Sequence, residues 1–249
     1  ISIGNSAGMN TNGGENVSLG LLAGSYATGS GNVGVGSYAG YGVTGGANAM
    51  VGSGAGQNVI GSTNVAVGAM AGSYSEGDKN VMFGGNAGQR SKGSYNVFSG
   101  WEAGRESTGG DNTLIGDQAG LGLVGSGNNV MGRRAGANSK GDNNVLIGTL
   151  ANEYVTTGSR VVSIGVQSQV TKNDSIAIGT WARTRQASDS TCSSVRTTAR
   201  PPCMQASAGV RVAARPSFAS ASAFRSTDRT AHLENPHEAS LTHLSCRLR

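Results

Sequence analysis

The chain is poor in nearly everything that a packed globular enzyme uses. Of its 249 residues only 13% are charged and 5% aromatic, against about 25% charged in ordinary domains. It has three cysteines, three histidines and four prolines, and all ten lie beyond residue 182, the cysteines at Cys192, Cys203 and Cys246 and the histidines at His232, His237 and His243. Residues 1–182 thus hold no thiol and no imidazole, which removes soft metal sites and most nucleophile–base pairs from that stretch. The cysteines and histidines of the remainder lack zinc-ligand spacing. There is no run of 18 apolar residues, the minimum for a helix that spans a membrane. Glycine does not recur at every third position and proline is scarce, so collagen is excluded as well.

What the chain has instead is glycine: 42 residues, 41 of them within residues 1–182. The two regions also differ in charge. Residues 1–182 carry nine Lys/Arg and ten Asp/Glu, a net charge of −1, whereas residues 183–249 carry ten Arg, no Lys and four acids, a net charge of +6. The basic balance therefore belongs to the second region, and it gives no ground for a specific nucleic-acid partner. That region is rich in Ser, Ala and Arg and low in complexity, so it is expected to be disordered or to be an out-of-frame ending.

Residues 1–182 are an internal repeat. The glycine that closes each short apolar run stands at Gly4, Gly20, Gly36 and so on to Gly148, 16 residues apart at every step, then 17 on at Gly165 and 14 on at Gly179. Ala-Gly follows three residues after this glycine in nine repeats. A second glycine column runs from Gly13 to Gly141, and an asparagine column passes through Asn16, Asn32, Asn48, Asn64, Asn80, Asn96, Asn112, Asn128 and Asn144. A helix would need apolar residues three and four apart, and glycine at this density would cost it about 1 kcal/mol per site. The pattern instead predicts an all-β fold: a parallel β-solenoid or β-roll of about eleven coils. Each coil would hold a short strand, a glycine corner, a second short stretch and another corner. The asparagines are expected to form a structural ladder along one corner.

Residues two apart on a strand share a face. The valine that follows the asparagine and the column before the corner glycine, Ile3, Leu19, Val35, Val51, Val67, Phe83, Ser99, Ile115, Met131 and Ile147, are both assigned to the interior. The residue between the two inward ones then points outward, and there the sequence carries Met50, Met82, Phe98, Leu114, Val130 and Leu146. So apolar an outer column predicts contact, and these six residues are the candidates for a self-association interface.

The segment Asn173-Asp174-Ser175-Ile176-Ala177-Ile178-Gly179, echoed by Asn64-Val65-Ala66-Val67-Gly68, resembles the YadA-like head repeats of trimeric autotransporter adhesins. The resemblance covers residues 1–182, although the family's usual period is nearer the 14 residues between Gly165 and Gly179 than the 16 of most coils. Similar repeats occur in phage tail fibres. The resemblance implies three β-rolls packed side by side as a homotrimer, in an extracellular or cell-surface setting. The implied function is non-enzymatic attachment to a host or matrix protein or glycan, the alternative being a fibre shaft or spacer without its own ligand site.

Other signals are weak. Two Gly-x-Gly-x-x-Gly matches, starting at Gly29 and Gly120, are repeat columns with no helix to follow, so no cofactor is expected. Calcium-binding solenoids use a nine-residue pattern with an aspartate column that is missing here, so no metal is expected. Glu76/Asp78, Glu102/Glu106 and Asp111/Asp117 read as solvated charges, and Arg133-Arg134 as a solvated rim. Asn16-Val17-Ser18 and Asn173-Asp174-Ser175 fit the glycosylation sequon, and both lie in repeat columns. Tyr26, Tyr74 and Tyr154 share one repeat position, six residues after the corner glycine, and are the candidates for ligand contact.

Overall fold

The computed structural model describes residues 1–154 and 158–184, together with the backbone of residues 192–193. The rest of the arginine-rich region lies outside the described residues, and so does the expectation of disorder there. The strands are β1 (Ser2–Ile3), β2 (Val17–Leu19), β3 (Val33–Val35), β4 (Ala49–Val51), β5 (Val65–Val67), β6 (Val81–Phe83) and β7 (Val97–Ser99). They continue as β8 (Thr113–Ile115), β9 (Asn129–Met131), β10 (Val145–Ile147), β11 (Val162–Ile164), β12 (Ile176–Ile178) and β13 (Cys192–Ser193). All pair in parallel and in chain order, each with the next, into one sheet. The register follows the repeat: Val17 pairs with Val33 and Val65 with Val81, and the longer and shorter spacings are absorbed where Val145 meets Val162 and Val162 meets Ile176. The protein is thus a parallel β-solenoid of about eleven coils, with no helix among the described residues. The pairing of β12 with β13 carries the sheet beyond residue 182, where the composition changes.

The second wall of each coil is not a strand. In the coil that begins at Gly20, Ala23 N–H donates to the carbonyl of Gly20, Ser25 to Leu22 and Ala27 to Gly24, each at 3.3 Å, so three turns overlap. Every second residue is left-handed, with φ of 56° at Leu22, 62° at Gly24 and 59° at Tyr26, as the third position of a type II turn requires. The alternation aims successive N–H groups at opposite neighbours. Leu22 and Tyr26 donate to Asn5 and Met9 one coil back, while Gly24 and Thr28 donate to Ala39 and Val43 one coil on. Hydrogen bonding between coils is therefore as continuous through this turn wall as through the sheet. A single bridge per coil, such as Thr28 with Thr44, closes it before the second corner.

The two walls lie one side chain apart, and this reverses the predicted faces. Met50, Met82, Phe98, Leu114, Val130 and Leu146, assigned above to an outer interface, are at most 2% exposed and form the core. The supposed inner column is outside: Ile3 is 63% exposed, Val51 41%, Phe83 45%, Met131 51% and Ile147 38%. The Ala-Gly column shows the reason. A Cβ on Gly104 would stand 2.5 Å from the Phe98 ring, and one on Gly120 2.5 Å from Leu114 Cδ1. Where the middle strand residue is itself Gly34, its added Cβ would meet the Ala39 carbonyl oxygen of the facing wall at 2.6 Å. The middle residue of each three-residue strand is the one trapped against the turn wall, and the glycine makes room for it.

Alanine lines the facing side, with Ala23, Ala39, Ala55, Ala71, Ala87, Ala103, Ala119, Ala135 and Ala151 all fully buried. The buried serines of the same wall satisfy their hydroxyls locally: Ser75, Ser91, Ser107 and Ser139 donate to the carbonyls of Gly72, Gly88, Gly104 and Gly136 at 2.7–2.8 Å. The core is unequal along the rod. Its strand column reads Ser2, Ser18 and Gly34 in the first three coils and Phe98, Leu114, Val130 and Leu146 in four consecutive later ones, so apolar burial is concentrated in the later coils.

Candidate attachment surfaces

Two side-chain ladders hold the corners and fix how the surfaces are presented. In the first, each asparagine side-chain oxygen accepts the backbone N–H of the asparagine one coil on. Asn48 does so from Asn64 at 2.9 Å and Asn80 from Asn96 at 2.9 Å, and Asn144 ends the series by accepting from Val161 at 3.0 Å. The amide groups donate onward to corner carbonyls, Asn32 to Gly45 and Asn64 to Gly77 at 2.9 Å. Asn32 to Asn144 are buried throughout, so removing one would strand a buried N–H and a buried carbonyl at a cost of about 1–3 kcal/mol. Asn16 is engaged in the same way, its amide donating to Gly29 at 3.0 Å, and Ser18 is 2% exposed. The sequon there is packed into the fold.

The second ladder was not foreseen from the sequence. Ser62 N–H donates to Asp78 Oδ1 at 2.7 Å, Asp78 N–H to Ser94 Oγ at 3.0 Å, Ser126 N–H to Asp142 Oδ1 at 2.8 Å and Asp142 N–H to Ser159 Oγ at 3.0 Å. Asp78 is therefore a structural acceptor and not simply a solvated charge. The available signal was that Ser or Asp recurs directly after the second corner glycine, at Ser30, Ser62, Asp78, Ser94, Ser126 and Asp142.

Other charges are also paired. Glu102, whose side chain is only 14% exposed, meets Arg105 at 2.7 Å and Gln118 at 2.8 Å. Arg134 reaches Glu153 at 2.6 Å and the Tyr154 hydroxyl at 2.9 Å, so only Arg133 of the basic pair remains an exposed rim residue. Arg160 binds Asp174 through two hydrogen bonds of 2.7 and 2.8 Å, and that bonding holds the Asp174 carboxyl below its ordinary range. No group of three or more His, Cys, Asp or Glu among the described residues is placed to hold a metal ion. Among the described residues no helix is long and apolar enough to cross a membrane.

Among the described residues two surfaces stand out as exposed. The first is the outer face of the sheet, where two mostly apolar columns run along the rod: Val17, Val33, Val65, Val81 and Val145 in one, interrupted by Thr113 and Asn129, and Leu19, Val51, Phe83, Ile115 and Ile147 in the other, interrupted by Ser99. With strands about 4.8 Å apart and the columns about 7 Å apart, the strip measures roughly 50 Å by 10 Å. That is comparable to the largest apolar patches found on monomeric proteins.

The second is aromatic and lies on the turn wall, across the core from the sheet. Tyr26, Tyr74 and Tyr154 are 47%, 45% and 60% exposed. They do not meet, because three coils part Tyr26 from Tyr74, about 14 Å, and eight part it from Tyr154, about 38 Å. Tyr26 is joined instead by Tyr41, ring centroids 5.5 Å apart, and Tyr41 by Tyr38 at 5.8 Å. Trp101, also unremarked in the sequence, is 56% exposed with its ring over Gly85.

These features define a parallel β-solenoid repeat protein with one apolar face and one aromatic face. No protein-family model matches the chain, and no curated protein matches it.

Proposed function

We propose that this chain is the non-enzymatic head of an attachment protein, a rigid homotrimeric rod presented outside the cell whose turn wall and loops contact a host or matrix surface. The observation that carries this reading is the outer face of the sheet. A half-exposed, mostly apolar strip along the rod is costly in water and is relieved when copies of the chain lay their sheets together. Three copies around a common axis is the arrangement implied by the resemblance of the repeats to adhesin heads. Such an arrangement would bury the sheets centrally and turn all three aromatic walls outward, giving multivalent contact.

The expected result is that the purified chain adsorbs to cell monolayers or to coatings of extracellular-matrix protein and glycan, and that Ile115→Asp/Ile147→Asp weakens adsorption by at least about tenfold through lost multivalency. If a well-folded, trimeric chain adsorbs to none of these surfaces, the shaft or spacer reading takes its place.

A further inference from the structure

The tyrosine cluster differs from the charged part of the rod in the state of its hydroxyls. Residues 1–75 contain one charged side chain, Glu15; all others in the repeat begin at Glu76. Tyr95 and Tyr154, in the charged part, have their hydroxyls taken by Lys79 at 3.0 Å and by Arg134 at 2.9 Å. The hydroxyls of Tyr26, Tyr38 and Tyr41 take no such partner among the described residues. Beside them Gly42 and Gly54 carry no side chain, and the carboxamide of Asn58 lies over Gly42 and the thioether of Met70 over Gly54.

From this we infer that Tyr26, Tyr38 and Tyr41, with Asn58, form a binding subsite for an uncharged oligosaccharide. The inference rests on the reading of the rod as an attachment head and names the chemistry of its ligand. A pyranose ring offers C–H groups on its face and hydroxyls around its rim. Tyrosine provides the matching pair, an apolar ring face and a polar tip, at low entropic cost. The rings are tilted by 60° and 54° to one another, so they present faces in different directions to successive sugar units. With one carboxylate in the first 75 residues, the surface offers no field to attract a sulfated or sialylated chain. A proline-rich peptide would also favour tyrosines, but it docks in an aromatic-lined groove, and both touching ring pairs here are tilted, not parallel.

The test uses the full chain with cellohexaose, chitohexaose and mannohexaose, followed by isothermal titration and saturation-transfer NMR. At least one of the three should bind with a dissociation constant of about 1 mM or tighter, unchanged between about 50 and 500 mM salt because no ion pair is involved. Tyr26→Ala and Tyr41→Ala should each weaken it about tenfold, Tyr41→Phe less than Tyr41→Ala, and Tyr74→Ala and Tyr154→Ala not at all. All four positions are at least partly exposed, and circular dichroism of each variant checks that the fold is kept. Failure of all three sugars to bind at about 20 mM overturns the inference. So does binding that ignores Tyr26→Ala and Tyr41→Ala, or capture of a decaproline peptide in place of the sugars. A chain that adsorbs to surfaces but takes up no sugar loses this subsite and keeps the attachment role. A chain that takes sugar at the triad yet adsorbs nowhere keeps the subsite and loses that role.

Discussion

Leu114→Asp is expected to unfold the middle of the rod, while Ile115→Asp, one residue further on, leaves it folded. Leu114 is fully buried between the sheet and the turn wall, its side chain against Gly120, with Phe98 and Val130 in the same column one coil to either side. A carboxylate there has no cation or donor within the apolar column. It must stay charged in a medium that cannot solvate it or take up a proton, and in either case the packing of the leucine is lost. The two losses together amount to about 4 kcal/mol or more, at the extreme of single substitutions. Ile115 is 36% exposed on the outer face, where in a separate chain the new carboxylate meets water, so its cost to the fold is within about 1 kcal/mol. Urea titration followed by far-UV circular dichroism distinguishes the two. Equal stability of both variants would mean that the middle strand column is not the core.

Gly68→Ala should be nearly as damaging although it adds one methyl group. The added Cβ would lie 2.6 Å from the carbonyl oxygen of Gly84, the same corner one coil on, and the residue sits at φ +132°. That φ lies outside even the small left-handed region open to L residues, so relaxing the contact does not remove the strain. Backbone that cannot shift on either side makes the cost about 3 kcal/mol or more. Gly14→Ala is the matched control: nothing stands within 4 Å of its added Cβ, and the loss of unfolded-chain freedom should leave stability unchanged or up by about 0.5 kcal/mol. The midpoint of urea unfolding for each variant checks both expectations, and a Gly68→Ala protein as stable as Gly14→Ala would contradict the account of the corners.

These two substitutions mark where the sequence could and could not be read. The corner glycines and the asparagine column were legible because only one residue type fits. A Cβ at Gly68 strikes the neighbouring corner, and at Asn64 only a carboxamide can accept the N–H of Asn80 while donating to the carbonyl of Gly77. The choice of inner face was not legible. Alternation says which residues share a face, not which face is inside, and both Leu114 and Ile115 belong to apolar columns. What decides between them is the wall-to-wall distance that Gly104 and Gly120 accommodate, and the Ala-Gly repeat was its only trace in the sequence. The left-handed φ values at Leu22, Tyr26 and Tyr38 run against residue preference, so no propensity argument would place a turn wall there. The tyrosine cluster was missed for a related reason. Tyr26, Tyr38 and Tyr41 occupy three different repeat positions, and a search along one column finds Tyr74 and Tyr154, which stand apart, in place of the neighbours that touch.

The correction of the inner face moves the expected interface from Leu114 and its column to Ile115 and Ile147 and theirs, and the oligomeric state tests this most directly. The measurement is the molar mass of the purified chain by light scattering after size exclusion, alongside Ile115→Asp/Ile147→Asp. The account predicts a β-rich species at three times the 24.9 kDa chain mass, falling to the mass of one chain in the variant with the circular dichroism spectrum unchanged. A β-rich monomer in the unaltered chain, or a trimer indifferent to both aspartates, would contradict it.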